Sequence, residues 1–149
     1  MRNGFTLVEL LVVIFLVGIL ASTMMLSIVS TSDSAKASVI VSNLRNAKAA
    51  GSMWFSDRID SSDAEFAAEW TNANMPTNLE KYVDNIMVFH YDYIHISGVG
   101  YLIGEPNVPS AIVNKALKQS PGFAILDSNG SVLVHPFTGS SATICVKIK

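Results

Sequence analysis

The chain has 149 residues, a formal net charge of −2 and one cysteine, and 50% of its residues are hydrophobic. This length suits one globular domain with an appendage. The slight acidity argues against a protein built around nucleic acid, which usually carries a strong basic excess. One cysteine excludes an internal disulfide and a cysteine-based zinc site. We therefore interpret Cys145, in the apolar segment TICVKIK, as a small buried hydrophobic residue.

An apolar run follows the first few residues. No charged residue occurs from Leu10 to Ser32, and Leu10 to Val29 supplies the roughly 20 apolar residues that a membrane-spanning helix needs. A secretory signal with a cleavage site near residues 19–22 is a second interpretation, and a buried helix of a soluble protein is a third. Glu9 argues against the signal, because it places a carboxylate where a signal is most apolar. The length of the run argues against the buried helix.

The segment GFTLVE at residues 4–9, followed by this run, resembles the processing and methylation motif of type IV pilins and the related pseudopilins. The motif combines a short basic leader, Gly4, an adjoining phenylalanine and a glutamate at a fixed offset. The resemblance implies cleavage between Gly4 and Phe5 by a membrane prepilin peptidase, followed by N-methylation of Phe5. Glu9 then becomes the fifth residue of the mature chain.

Glu9 has a physical role in this interpretation. Cleavage creates an α-amino group on Phe5 that can carry positive charge at the positive end of the helix dipole. Glu9, one turn away, is a suitable counter-ion for the amine of its own chain or of a neighbouring chain, because paired buried charges are tolerated where single ones are not. Pairing between subunits would also fix the axial register of a filament. The alternative is a Glu9 side chain that only extends to the lipid headgroups.

The helix is predicted to continue beyond the membrane. Apolar residues recur at three- and four-residue spacing, and no proline occurs before Pro76. A continuous helix from Phe5 to Phe55 would be roughly 75 Å long, with a candidate kink at residues 30–34 if Asp33 caps a turn. The apolar stripe comprises Ala37, Ile40, Val41, Leu44, Ala47, Gly51, Trp54 and Phe55.

Gly18 matches a glycine that pilins often have in this helix, whereas Leu26 replaces the proline that many relatives carry. The resemblance implies that this segment can unwind during assembly, and the missing proline argues against extensive unwinding. Gly18 is equally a candidate for close packing between helices.

Two short helices are predicted after the long one. The segment AEFAAEW at residues 64–70 favours the first, and TNLEKYV, opened by Thr77 or Asn78, favours the second. The acidic residues between Ser56 and Lys81 are interpreted as a solvated connection rather than as a calcium site.

Strand patterns dominate the rest of the chain. The alternating segment NIMVFHYDYIHI at residues 85–96 would place Phe89, Tyr91, Tyr93 and His95 on one face and His90, Asp92 and Ile94 on the other. The segment GVGYLIGE at residues 98–105 is a candidate partner strand.

A helix and three further strands complete the predicted fold. The segment SAIVNKALKQS at residues 110–120, bracketed by prolines, predicts a short amphipathic helix. A hairpin with its turn at Asn129–Gly130 is predicted next, and ATICVKIK at residues 142–149 is predicted to be an edge strand because its lysines alternate. The predicted class is α+β, with the long N-terminal helix packed on an antiparallel sheet of about four strands.

No catalytic, cofactor or metal site is predicted. His90, His95 and His135 lack helical ligand spacing, and a strand would place His90 and His95 on opposite faces. The segment DSNG at residues 127–130 resembles the start of a calcium loop, yet no glutamate follows at the required offset. Phosphate-loop and nucleophile-elbow motifs are missing from the sequence. We therefore expect a protein that is not an enzyme.

The predicted organisation has three parts: a leader at residues 1–4, a hydrophobic transmembrane and filament-core helix at residues 5–32, and a globular head at residues 33–149. The resemblance implies a structural subunit of a helical, type IV pilus-like filament. Its implied partners are copies of itself, the prepilin peptidase, the inner-membrane assembly platform with its ATPase, and membrane lipid before assembly, whereas nucleic acid is not expected. The implied location is the bacterial inner membrane as a single-pass precursor, then an extracellular or periplasmic filament.

Two alternatives stay open, namely a pseudopilin of a type II secretion system and a membrane-anchored monomeric binding domain. Family pilins often close their C-terminal region with a disulfide, which Cys145 alone cannot form. Major pseudopilins often bind calcium in that region, where no convincing site is found. The pilus subunit is the favoured interpretation.

Overall fold

The structure is a computed structural model that describes residues 5–83, 91–97, 99–127, 131–133 and 137–149, with only the backbone for Leu26. Its helices are α1 (Leu7–Ser56), α2 (Asp63–Glu69), α3 (Met75–Leu79) and α4 (Ser110–Gln119). Its strands are β1 (Asp92–Ile96), β2 (Gly100–Pro109), β3 (Ala124–Leu126), β4 (Val132–Leu133) and β5 (Ser141–Lys147). The strands form one antiparallel sheet in the order β1-β2-β5-β3-β4. The predicted α+β class is confirmed, with five strands in the described sheet.

Helix α1 runs uninterrupted for 50 residues, which corresponds to roughly 75 Å. It continues through Asp33, so no cap interrupts it at residues 30–34. The predicted apolar stripe is confirmed, because Ala37, Leu44 and Trp54 are almost fully buried and Phe55 is half-buried. This stripe attaches the second half of α1 to the rest of the head.

The main core lies between α1, α4 and the sheet. Helix α4, which matches its prediction, buries Ile112, Val113, Ala116 and Leu117. The sheet contributes Ile103, Ile125, Ile144 and Val146 to the same cluster. A smaller cluster of Leu102, Leu126 and Cys145 covers the opposite face of the sheet. The central strands are therefore buried on both faces.

An aromatic cluster holds the connection after α1 against the sheet. The ring of Phe55 lies 5.3 Å from Trp70 and 5.0 Å from Tyr101, measured between centroids. The Trp70 indole donates to the Leu102 carbonyl at 3.2 Å, and the Tyr101 hydroxyl donates to the Asp63 carbonyl at 3.0 Å. Helix α2 matches its predicted segment.

The predicted start of the next helix was wrong. Helix α3 begins at Met75, ahead of the predicted Thr77 or Asn78, and Pro76 lies in its first turn. Proline is tolerated there because the first turn has no intrahelical partner for its missing N–H.

The predicted position of the last strand was also wrong. Strand β5 is not at an edge, because it pairs with β2 on one side and with β3 on the other. Its consecutive residues Ile144, Cys145 and Val146 are all buried, as expected of a strand covered on both faces. The lysine alternation misled the prediction, because Lys147 is the last residue of the strand and lies beyond the buried run.

The two predicted hairpins are confirmed in their described parts. Strand β1 pairs with β2, and Tyr91 and Tyr93, which were predicted to share a face, are both buried. Strand β3 pairs with β4 through Ile125↔Leu133. The predicted turn at Asn129–Gly130 and the predicted strand residues Phe89 and His90 lie outside the described residues.

Candidate assembly site

The first turn of α1 is closed by two side chains. Thr6 is the N-cap, and its backbone N–H and its hydroxyl donate to Glu9 Oε2 at 2.9 and 2.7 Å. The Glu9 N–H donates in return to the Thr6 hydroxyl at 3.3 Å. This reciprocal arrangement is a capping box. It holds the Glu9 carboxylate beside the positive end of the helix dipole.

This geometry places Glu9 next to the predicted processing site. The Thr6 amide that it binds is the peptide bond formed with Phe5, whose side chain is 76% exposed. Gly4 lies outside the described residues. Cleavage after Gly4, methylation of Phe5 and pairing of its amine with Glu9 therefore stay predictions.

Thr6 is a residue of this site that the sequence interpretation missed. The spacing T-x-x-E directly ahead of an apolar run is the sequence pattern of a capping box, and it could have identified Thr6. The same pattern, S-x-x-E, recurs at α2, where Ser62 and Glu65 form a second capping box.

The first half of α1 exposes apolar side chains around its whole circumference. Their exposed fractions range from 47% at Val12 and Val13 to 79% at Leu7. Among the described residues, α1 is the one helix long and apolar enough to cross a membrane, and none of its apolar window is buried. Exposed apolar area is unfavourable in water by about 25 cal/mol per Å². This surface therefore requires a cover that residues in the described ranges do not supply.

Several hydroxyl groups within this half donate hydrogen bonds to the helix backbone. Ser22 donates to the Gly18 carbonyl at 2.8 Å, and Thr31 donates to the Ser27 carbonyl at 2.9 Å. Such internal bonds make hydroxyls tolerable in lipid. Gly18 has no atom within 4 Å of a hypothetical Cβ, so its surface is open to close contact with another helix.

The head first contacts α1 near Ser30. The Lys115 ammonium of α4 donates to the Ser30 carbonyl at 2.6 Å and lies 3.7 Å from the Asp33 carboxylate. About two turns further along α1, the Ser38 hydroxyl donates to Gln119 at 3.2 Å. These contacts mark the boundary between the half of α1 that exposes apolar side chains and the half that packs on the head.

The remaining candidate residues form no reactive cluster in the part of the chain that the structure describes. Cys145 is fully buried, and burial raises the pKa of its thiol to about 12. His95 is exposed and stacks on Tyr101 at 4.5 Å, whereas His90 and His135 lie outside the described residues. In the described ranges, no group of three His, Cys, Asp or Glu side chains could hold a metal ion. The interpretation of Cys145 as a buried hydrophobic residue is confirmed.

Comparison with known families gives one match. A family model described as the prokaryotic N-terminal methylation motif matches residues 1–25. The chain therefore carries the signal motif of type IV pilins and pseudopilins. This motif supports a type IV pilin-like or pseudopilin-like precursor and implies processing by a prepilin peptidase. Comparison with curated proteins gave no match, and neither did comparison with solved structures.

Proposed function

We propose that the chain is a structural subunit of a type IV pilus-like helical filament that assembles through α1 after cleavage between Gly4 and Phe5. The main support is the exposure of apolar side chains all around the first half of α1. A helix with one apolar stripe needs cover on one side, whereas a helix that is apolar all round needs cover on every side. Lipid would supply that cover before assembly, and neighbouring α1 helices would supply it in the filament.

The location and partners follow from this role. The precursor would lie in the bacterial inner membrane as a single-pass protein and would later enter an extracellular or periplasmic filament. Its partners would be further copies of itself, the prepilin peptidase, and an assembly platform with its ATPase. In this proposal the head is a structural domain and performs no chemistry of its own.

Processing is tested on protein from the native host by intact-mass measurement and N-terminal sequencing. We expect a chain that lacks residues 1–4 and begins with N-methylated Phe5. A Gly4→Leu variant should remain uncleaved in the membrane, because a bulky residue replaces the glycine at the scissile bond. A Gly122→Leu variant is the matched control, since no atom lies within 4 Å of a hypothetical Cβ there, and it should be cleaved normally.

Two N-terminal sequences would contradict the proposal. A mature protein that retains Met1 would exclude prepilin processing, and one that begins after Ala21 would identify a secretory signal instead. The pilus and the pseudopilus are separated by shearing intact cells. Surface filaments that contain the chain support the pilus, and chain confined to the periplasm supports the pseudopilus.

A further inference from the structure

The charges of the head are separated along α1. Positive side chains lie along α1 between Lys36 and Lys48 and on α4, where Lys115 is paired with Asp33. Negative side chains collect at the other end, in and after the turn that follows α1. The basic band comprises Lys36, Arg45, Lys48, Lys115 and Lys118. The acidic end comprises Asp57, Asp60, Asp63, Glu65, Glu69 and Glu80.

Several of these charges lack an opposite charge nearby. Lys36, Lys48 and Lys118 are exposed and form no ion pair within the described parts of the chain. Asp60 and Glu80 are also exposed, and neither forms an ion pair within the described parts of the chain. These residues are therefore available to a partner.

Three carboxylates of the acidic end already have a positive partner in the same subunit. The ion pairs are Asp57 with Lys81, Asp63 with Lys149, and Glu69 with Arg58. The other three carboxylates of the acidic end form no ion pair with a described residue, so this end keeps an excess of negative charge.

Hydrogen bonds hold part of the acidic end in the ionised form. The hydrogen bond from the Tyr82 hydroxyl lowers the pKa of Asp57, and the hydrogen bond from the Ser62 amide lowers the pKa of Glu65. The acidic end therefore stays negative at neutral pH.

The two charged regions are too far apart to neutralise each other within one chain. Measured along the helix axis at the helical rise, Asp57 lies roughly 14 Å from Lys48, the nearest α1 residue of the basic band, and roughly 32 Å from Lys36. Charges in physiological salt are screened over about 8 Å. Any mutual attraction between these regions must therefore act between separate molecules.

Each charged region also contains an exposed apolar residue. Val39 lies within the basic band and is 56% exposed, and Ile59 lies within the acidic end and is 86% exposed. About 26 Å of α1 separates Val39 from the last helical residue, Ser56, and Ile59 lies in the turn beyond it, so this spacing is similar to that between Lys36 and Asp57. One axial displacement therefore brings the apolar residues and the opposite charges together.

We propose that the basic band of one subunit docks on the acidic end of a second copy of this chain, displaced by roughly 30 Å along the α1 axis, with Val39 against Ile59. The two surfaces differ, so the contact is heterologous and repeats into an open filament rather than closing into a dimer. This inference rests on the proposed filament and specifies how neighbouring heads meet in it.

Disulfide trapping tests the displacement directly. The full-length variant carries Val39→Cys and Ile59→Cys, and both positions are exposed in the single subunit. A disulfide requires Cα atoms within about 7 Å, so a bond between these two positions can form only between subunits. Mild oxidation of sheared filaments should produce a ladder of dimers, trimers and longer species on a non-reducing gel.

Matched variants control for chance pairing. Each single variant, Val39→Cys or Ile59→Cys, should stop at dimers because it offers one thiol per subunit. Cys145 is fully buried and should not contribute. The pair Val39→Cys with Val132→Cys, which is also exposed, should give no ladder. Normal filaments of the double variant without a ladder would overturn the proposed contact.

Charge reversal provides an independent test. Lys36→Glu or Asp60→Lys alone should lower the yield of sheared filaments at least about fivefold, because each places like charges opposite each other across the interface. The combined variant should return to within about twofold of the unmodified yield, since opposite charges again face each other. Ser131→Glu adds a carboxylate at an exposed position that belongs to neither region and should leave the yield unchanged.

The outcomes separate this inference from the proposed function. The docking of the basic band on the acidic end is overturned if the combined variant is no better than the single reversals, or if Ser131→Glu lowers the yield equally. Either result leaves the proposed filament itself intact. Failure of the unmodified, processed chain to form any filament overturns the proposed function itself.

Discussion

The carboxylate of Glu9 is stabilised by its own chain before any partner arrives. An unpaired carboxylate at the centre of a membrane helix costs roughly 2.5–3.5 kcal/mol on insertion scales. Here Glu9 lies at the helix start, where it accepts two hydrogen bonds from Thr6 and faces the positive end of the dipole. The precursor can therefore retain the charge that assembly is proposed to use.

Replacing Glu9 by glutamine should remove the charge of this side chain while keeping its role in the N-terminal cap of α1. Glu9→Gln keeps the shape and an acceptor for the Thr6 amide, so α1 should begin as before and cleavage after Gly4 should survive. The Phe5 amine would be unpaired in a dry filament core, where losing one partner of a buried pair costs about 3–5 kcal/mol. We expect filaments to be strongly reduced by electron microscopy of sheared material, with normal protein levels on a membrane immunoblot.

The second capping box provides the matched control for this change. Glu65→Gln alters the same motif at α2, where Glu65 caps Ser62 on the surface of the head. Glu65 is one of six carboxylates of the acidic end, so filament numbers should fall far less in that variant than in the Glu9→Gln variant. Numbers in the Glu9→Gln variant no lower than those in the Glu65→Gln variant would show that the Glu9 charge has no role in assembly.

The Cys145 thiol should be inert in the folded protein. Burial raises its pKa to about 12, so at pH 8 the fold holds about three orders of magnitude less thiolate than an unfolded chain with a pKa near 8.5. Because the folded pKa is raised, the fold favours the protonated thiol, and this contribution to stability is present below about pH 8.5 and is lost as the pH rises toward 12.

Thiol labelling with a chromogenic disulfide checks this prediction. Reaction at about pH 8, close to the ordinary pKa of a free thiol, should be slow in buffer and fast in denaturant. A Gly122→Cys variant adds an exposed thiol and should react at once, with one equivalent per chain. Rapid labelling of the unmodified native protein would contradict the burial of Cys145.

At the level of elements, the contact between β2 and β5 depends on a missing side chain. A Cβ at Gly104 would lie 2.6 Å from both Cys145 Sγ and Thr143 Cγ2. Gly104→Ala should therefore push the two central strands apart and destabilise the fold by about 1–3 kcal/mol. Thermal unfolding of the detergent-solubilised chain, followed by the fluorescence of Trp54 and Trp70, measures the effect.

Gly122→Ala is the control for this substitution. No atom lies within 4 Å of a hypothetical Cβ at Gly122, so the midpoint of unfolding should hardly change. Equal midpoints for both variants would show that β2 and β5 can move apart without loss of stability.

The elements differ in how far the sequence determines them. Helix α1 and helix α4 were predictable because each carries a local pattern, an apolar stripe in α1 and bracketing prolines around α4. The order of strands was not, because the pairing of β5 between β2 and β3 depends on contacts far apart in the sequence. The unbroken run Ile144, Cys145 and Val146 was the available signal of a central strand, but the alternating lysines were given more weight.

The candidate site was predictable where it follows a motif. The GFTLVE segment identified Gly4, Phe5 and Glu9 as candidates, and the same letters contain the Thr6 cap that was overlooked. The head surfaces proposed to meet could not be read from the sequence, because Val39 and Ile59 follow no motif. Their relevance depends on which side chains the fold leaves exposed.

At the level of the whole molecule, the two halves of α1 have different surroundings. The described part of the head does not cover the first half of α1, whereas the second half contributes the side of the core that faces α4 and the sheet. The head therefore includes about half of α1, and removing that half should leave the sheet without its partner. This division predicts where the chain can be truncated without unfolding the head.

A fragment that begins at Asp33 should be a soluble, folded monomer. It retains the buried stripe from Ala37 to Trp54 and the Asp33–Lys115 ion pair, and it loses the hydrogen bond from Lys115 to Ser30, worth about 0.5–1.5 kcal/mol. A fragment that begins at Asp57 is the control, and it should be unfolded because every α1 residue of the core is missing. Circular dichroism and size-exclusion chromatography distinguish the two. Aggregation of the longer fragment would show that residues before Asp33 are needed to complete the head.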